Sequence, residues 1–159
     1  MKLEGAAVNS VDASGRITLR ESLVDSLDGS VILTQGFDAN LLMFSPEQWL
    51  VYKKPFTAEE QAGAMMDPDM EDLYRLLISP AAEVELDDRG RMKIPEALRE
   101  WAGLTPGASR VVVLGLDTRW EIWSQEQYKS YMSSRRSELK DFVRGKAGRG
   151  SQEAEAEER

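Results

Sequence analysis

Asp12-Ala13-Ser14-Gly15-Arg16 and Asp87-Asp88-Arg89-Gly90-Arg91 are two versions of one five-residue stretch, and how that stretch is read decides the fold. An apolar residue precedes each Asp (Val11, Leu86), and an alternating run follows each Arg (Ile17-Thr18-Leu19, Met92-Lys93-Ile94). Two strands joined by a tight turn have this pattern. Gly15 and Gly90 would supply the positive φ of the turn, and Asp12 and Asp87 would accept hydrogen bonds from backbone amides two residues on. An Arg at such a tip points away from the core. Pairing it with the Asp four residues earlier is worth only ~0–1 kcal/mol when exposed, so stability is a poor reason for keeping both residues.

The likeness extends past the tips. Arg16/Arg91, Leu19/Ile94, Glu21/Glu96 and Leu23/Leu98 all match at the offset that carries Gly15 onto Gly90. Further on the offset lengthens, near the turn Thr105-Pro106-Gly107. There Gly36-Phe37-Asp38 matches Gly115-Leu116-Asp117, and Ser45-Pro46-Glu47-Gln48-Trp49 matches Ser124-Gln125-Glu126-Gln127-Tyr128. The chain therefore reads as two copies of one module.

Within the first copy, residues 5–11 read as a strand into the tip, 16–19 as its return and 21–27 as a short helix stopped at Asp28-Gly29. Strands at 31–34 and 41–44 flank a turn at 36–40. Ser45, Pro46 and Gln48 then open a helix that ends by Pro55. Residues 56–66 show no period and read as a linker. Asp67-Pro68 opens a connecting helix to about Ile78, with Met70, Leu73, Tyr74 and Leu77 on one face that reads as core packing. The second copy repeats the plan: a strand at 82–86, a helix at 96–102 stopped by Gly103, strands at 110–114 and 119–123, and a long helix from Ser124 to Gly145. Its apolar positions, Tyr128, Tyr131, Met132, Leu139, Phe142 and Val143, need a cover, either the first module or another subunit. The domain reading is a first repeat at 3–54, a linker and connecting helix at 55–79, a second repeat at 80–144 and, for want of apolar residues, a disordered tail at 145–159.

At this point the sequence resembles the bacterial MraZ family, within the wider group of AbrB-like swapped-hairpin transcription factors. The paired Asp-x-x-Gly-Arg tips carry the likeness, with Ala82-Glu83-Val84-Glu85-Leu86-Asp87 and Ile94-Pro95-Glu96-Ala97-Leu98-Arg99. It covers roughly residues 3–143. Ser14 stands where a Lys is usual and Arg20 where a Pro is usual. The resemblance implies an α+β fold of two tandem, pseudo-symmetric swapped-hairpin modules forming a double-split barrel with peripheral helices. It also implies a ring-shaped homo-oligomer acting at promoters of the division and cell-wall gene cluster.

Composition narrows the chemistry. Cys 0 removes disulfides and thiol nucleophiles, and His 0 makes catalytic triads and most transition-metal sites unexpected. No stretch approaches the ~20 apolar residues of a membrane span, and no apolar leader opens the chain, so a cytoplasmic protein is expected, and the family resemblance implies association with the nucleoid. Asp12 and Asp87 need no catalytic role, because turn formation accounts for both. No enzyme activity, cofactor or metal is expected. Trp101, Trp120 and Trp123 lie among apolar neighbours and read as core or interface residues.

The net charge of −8 argues against indiscriminate binding to nucleic acid, but its distribution matters more. Arg16 and Arg20 gather at the first tip, and Arg89, Arg91 and Lys93 at the second, while acidic residues populate the helices and the tail. A basic face on an acidic body suits a specific binder of double-stranded DNA, and Arg on a two-stranded ribbon suits guanine in the major groove. The alternative is a ring-forming structural protein with reduced DNA binding. A toxin-neutralising antidote would need apolar anchors in a flexible C-terminal segment, and residues 145–159 offer none.

Overall fold

Strand pairing in the computed structural model, which describes residues 6–57 and 67–157, crosses repeatedly between the two sequence repeats. In chain order the first repeat holds β1 (Ala6–Ser10), β2 (Arg16–Thr18), α1 (Glu21–Val24), β3 (Ser30–Gln35), β4 (Leu41–Phe44) and α2 (Pro46–Lys53). A short 3-10 turn, Lys54–Phe56, follows. After residues 58–66, the part of the expected linker that lies outside the described residues, come α3 (Pro68–Leu73) and a π-helical turn, Tyr74–Ile78. The second repeat holds β5 (Ala82–Glu85), β6 (Arg91–Lys93), α4 (Glu96–Ala102), β7 (Arg110–Gly115), β8 (Trp120–Ser124) and α5 (Gln125–Glu157).

A six-stranded sheet runs in the order β1-β7-β8-β4-β3-β5, and β2 pairs with β6 in a separate ribbon. The first strand of each repeat thus pairs with the third strand of the other, β1 with β7 and β5 with β3, all antiparallel. Fourth strands meet at the centre, with Leu41 opposite Ile122 and Met43 opposite Trp120. Strand alternation explains the apolar runs in β3 and β4, which are buried on both faces. Val31, Leu33, Leu41 and Met43 enter one core with Ile17, Met92, Leu98 and Ile122. Ile32, Leu42 and Phe44 enter a second core with Trp49, Leu77 and Ile78.

Local signals place most elements where the sequence puts them. Ser45 Oγ accepts from the Gln48 amide at 3.2 Å, and Asp67 Oδ1 accepts from the Asp69 amide at 2.8 Å, so both helices open on the expected caps. Gly103, at φ 65°, ends α4. Trp120 and Trp123 are buried, and Trp101 packs on the first core. Of the connecting-helix stripe, Leu73 and Leu77 join the second core, whereas Tyr74 is exposed.

Three details differ from the sequence reading. α1 ends at Val24, because the Ser26 and Leu27 amides bond back three residues, to Leu23 and Val24, tightening the helix before Gly29. The connecting helix relaxes into a π turn, in which the Ser79 amide donates to the Tyr74 carbonyl while the buried Thr34 hydroxyl donates to the Leu77 carbonyl at 2.6 Å. α5 continues past Gly145 to Glu157, where the sequence reading places a disordered tail. Glu, Gln, Ala and Arg there are good helix formers, and helix propensity requires no apolar face. Residues 126–159 form a unit of their own, distinct from the one made by the preceding chain. On α5, Met132, Leu139, Phe142 and Val143 are exposed.

Candidate nucleic-acid interface

Each tip is closed by its Asp. Asp12 Oδ1 accepts from the Ser14 and Arg16 amides at 2.8 and 2.9 Å, and Asp87 Oδ1 accepts from the Arg89 and Arg91 amides at 2.9 Å. The Gly15 and Gly90 amides donate to the Asp12 and Asp87 carbonyls at 3.0 Å. Gly15 at φ 81° and Gly90 at φ 74° occupy the left-handed region, as the turn requires. Asp12, Gly15, Asp87 and Gly90 are therefore turn-shaping residues at equivalent positions.

Beyond the tips the returning strands leave their own repeats and pair with each other. Arg16 lies opposite Lys93, Ile17 opposite Met92 and Thr18 opposite Arg91. Two cross-links hold the ribbon's ends, Leu19 amide to Gly90 carbonyl at 2.9 Å and Ile94 amide to Gly15 carbonyl at 3.1 Å. Ile17 and Met92 have no exposed surface, so alternation turns Arg16, Thr18, Arg91 and Lys93 to the opposite face. What the sequence presents as two separate tips is one two-stranded ribbon with a basic face.

Of the five expected contact residues, Arg20, Arg89 and Lys93 are exposed, while Arg16 and Arg91 are half-buried. Arg91 Nε donates to Asp87 Oδ2 at 2.7 Å, whereas among the described residues Arg16 has no such ion pair with Asp12. Amide donation from Arg91, followed by its side-chain bond, holds the Asp87 carboxyl at about 2. Amide donation from Arg16 holds Asp12 below the usual carboxylate range in the same way. Both carboxylates are thus committed to shaping the turns and stay charged at any ordinary pH.

Thr18 was missed by the sequence reading. It shares the outer face with the cations, and the signal that could have found it was the alternation Arg16-Ile17-Thr18 itself. Arg99 was missed as well. Its guanidinium lies against Gly15, and its Nε donates to the Ile94 carbonyl at 2.9 Å. Among the described residues no group of three Asp, Glu, His or Cys side chains converges where a metal ion could sit. No helix among them is long and apolar enough to cross a membrane.

Sequence comparison identifies the family. Residues 3–67 and 77–144 match a family model described as "MraZ protein, putative antitoxin-like". A protein of Acetivibrio thermocellus named Transcriptional regulator MraZ is 35% identical over 127 residues, spanning 80% of this chain and 84% of the relative. Proteins of the same name from Herpetosiphon aurantiacus and Carboxydothermus hydrogenoformans are 32% and 31% identical. They span 82% and 87% of this chain and 86% and 92% of their own lengths. With the family model matching both repeats and relatives of this identity covering most of its length, the chain belongs to the MraZ family.

Proposed function

We propose that the protein is a sequence-specific DNA-binding transcription regulator that reads the major groove with the β2–β6 ribbon. The observation that carries this reading is the placement of Arg16 directly opposite Lys93 on the ribbon's outer face. Like charges facing each other across a strand pair destabilise it, so the fold bears a cost that a polyanion would relieve. A two-stranded ribbon fits the major groove, where Arg16 and Arg91 can each make bidentate contacts to guanine and Thr18 can meet a thymine methyl. Arg20, Arg89 and Lys93 serve the phosphates on either side. Relatives bearing the name transcriptional regulator support the same role, which needs no catalytic group.

The finer parts of the proposal follow the family resemblance. The repeats and their exchanged strands form a swapped-hairpin double-split barrel, and several chains close into a ring that acts in the cytoplasm at the promoter of the division and cell-wall gene cluster. Exposure of Met132, Leu139, Phe142 and Val143 on α5 supports assembly. Ring closure repeats the basic face, so avidity for repeated short sites offsets the net charge of −8.

The test is a mobility-shift titration, at stated salt, with a duplex from immediately upstream of the protein's own gene against a scrambled duplex of equal length. Arg16→Ala and Arg91→Ala should each weaken specific binding by about 1–3 kcal/mol with the fold intact. Unchanged affinity in a well-folded Arg16→Ala/Arg91→Ala double variant would remove the reading.

A further inference from the structure

The two tips are not seated alike. In the repeat register that carries Gly15 onto Gly90, Val24 falls on Arg99. Each of these residues lies under the tip of the opposite repeat. A Cβ on Gly90 would come within 2.7 Å of Val24 Cγ2, and a Cβ on Gly15 within 2.8 Å of the Arg99 guanidinium. Beneath the second tip the seat is a small apolar group. Beneath the first it is a flat cation that is tied down: Arg99 Nε donates to the Ile94 carbonyl, and the Ile94 amide donates to the Gly15 carbonyl. Arg99, Ile94 and Gly15 therefore form a closed loop of contacts that joins α4 to the tip carrying Arg16.

We propose that Arg99 is a positioning residue for DNA binding, the seat on which the second repeat sets the aim of Arg16. The role rests on the DNA-binding reading above. Arg99 itself is half-buried, with its guanidinium against the Gly15 backbone and its Nε on the Ile94 carbonyl, so it is placed to support the tip rather than offered to a phosphate. A planar guanidinium suits the place because it can lie flat against a glycine Cα while one nitrogen bonds a carbonyl, which neither Lys nor an apolar side chain can do. Arg16, lacking the ion pair that Arg91 makes with Asp87, depends more on this seat for its direction.

The test uses the full chain, the same upstream duplex and two readouts. Arg99→Met should lower affinity about fivefold to tenfold in the wild-type and Arg91→Ala backgrounds, and less than about twofold in Arg16→Ala, since coupled residues are non-additive and independent ones add. Without DNA, amide exchange in Arg99→Met should quicken about tenfold at Ile94, whose bond to Gly15 the seat supports, and stay unchanged at Leu19, which bonds Gly90 over Val24. Arg99→Lys should resemble Arg99→Met in both. Equal losses in the Arg16→Ala and Arg91→Ala backgrounds, equal exchange changes at Ile94 and Leu19, or wild-type behaviour in Arg99→Lys would each overturn the proposal while leaving DNA binding in place. Failure of the wild-type chain to prefer the upstream duplex would remove the function and the role of Arg99 together.

Discussion

Substituting Gly90 by Ala tests the seating of the tips most directly, because two separable costs meet at that position. The first is conformational: at φ 74° an L side chain crowds the following carbonyl, at roughly 1–2 kcal/mol. The second is steric. The new Cβ would stand 2.7 Å from Val24 Cγ2 and 3.3 Å from the Leu19 carbonyl oxygen, so either Val24 shifts or the ribbon's end bond from Leu19 to Gly90 lengthens. Overpacking of this kind costs about 1–3 kcal/mol. The lower chain entropy of the unfolded Ala variant returns about 0.5 kcal/mol, which leaves a net loss of about 1.5–4.5 kcal/mol. Against a typical domain stability of about 5–15 kcal/mol this is severe but not fatal. Gly29 is the natural control, since it has φ 80° and nothing within 4 Å of where an alanine Cβ would stand, so Gly29→Ala carries only the conformational cost. Urea unfolding at fixed protein concentration, with matching m values, should place Gly90→Ala below Gly29→Ala by the steric cost alone, about 1–3 kcal/mol. Adding Val24→Ala should recover part of that difference. Equal destabilisation of the two glycine variants would refute the close seating of the second tip.

Three further outcomes are expected. The Asp87 carboxyl should titrate at about 2 instead of 3.8; because its folded value is depressed, the stability it contributes is fully present above pH ~4 and is lost as pH falls through about 2. Carboxyl NMR showing a midpoint near 3.8 would contradict the turn geometry, and in Arg91→Ala the midpoint should rise only partway, since the Arg91 amide bond, the largest cause, remains. Phe142→Glu together with Val143→Glu should reduce the assembled mass seen by light scattering, since these side chains are 58% and 64% exposed; an unchanged mass would separate α5 from assembly. Duplexes carrying repeated half-sites about one helical turn apart should bind more tightly than a single half-site, and equal affinity would rule out avidity.

Much of this protein is written locally. Gly15 and Gly90 announce left-handed turns, Ser45-Pro46 and Asp67-Pro68 announce helix starts, and the alternation around Ile17 and Met92 shows which side chains go inward, because turn, cap and face depend on neighbours a few residues away. The internal repeat and the family likeness likewise needed only the order of residues. Strand partnership was different. Nothing near Arg16 in the chain says that it lies opposite Lys93, or that β1 takes β7 as its partner, because periodicity specifies the face of a strand and leaves its neighbour open. Arg99 is the clearest case: in sequence it is an ordinary helical arginine after Leu98, and only the exchange of strands between repeats carries it beneath Gly15. The number and kind of tips were thus a property of the sequence, whereas their union into a single basic ribbon, and the unlike supports beneath them, came from long-range packing of one repeat through the other.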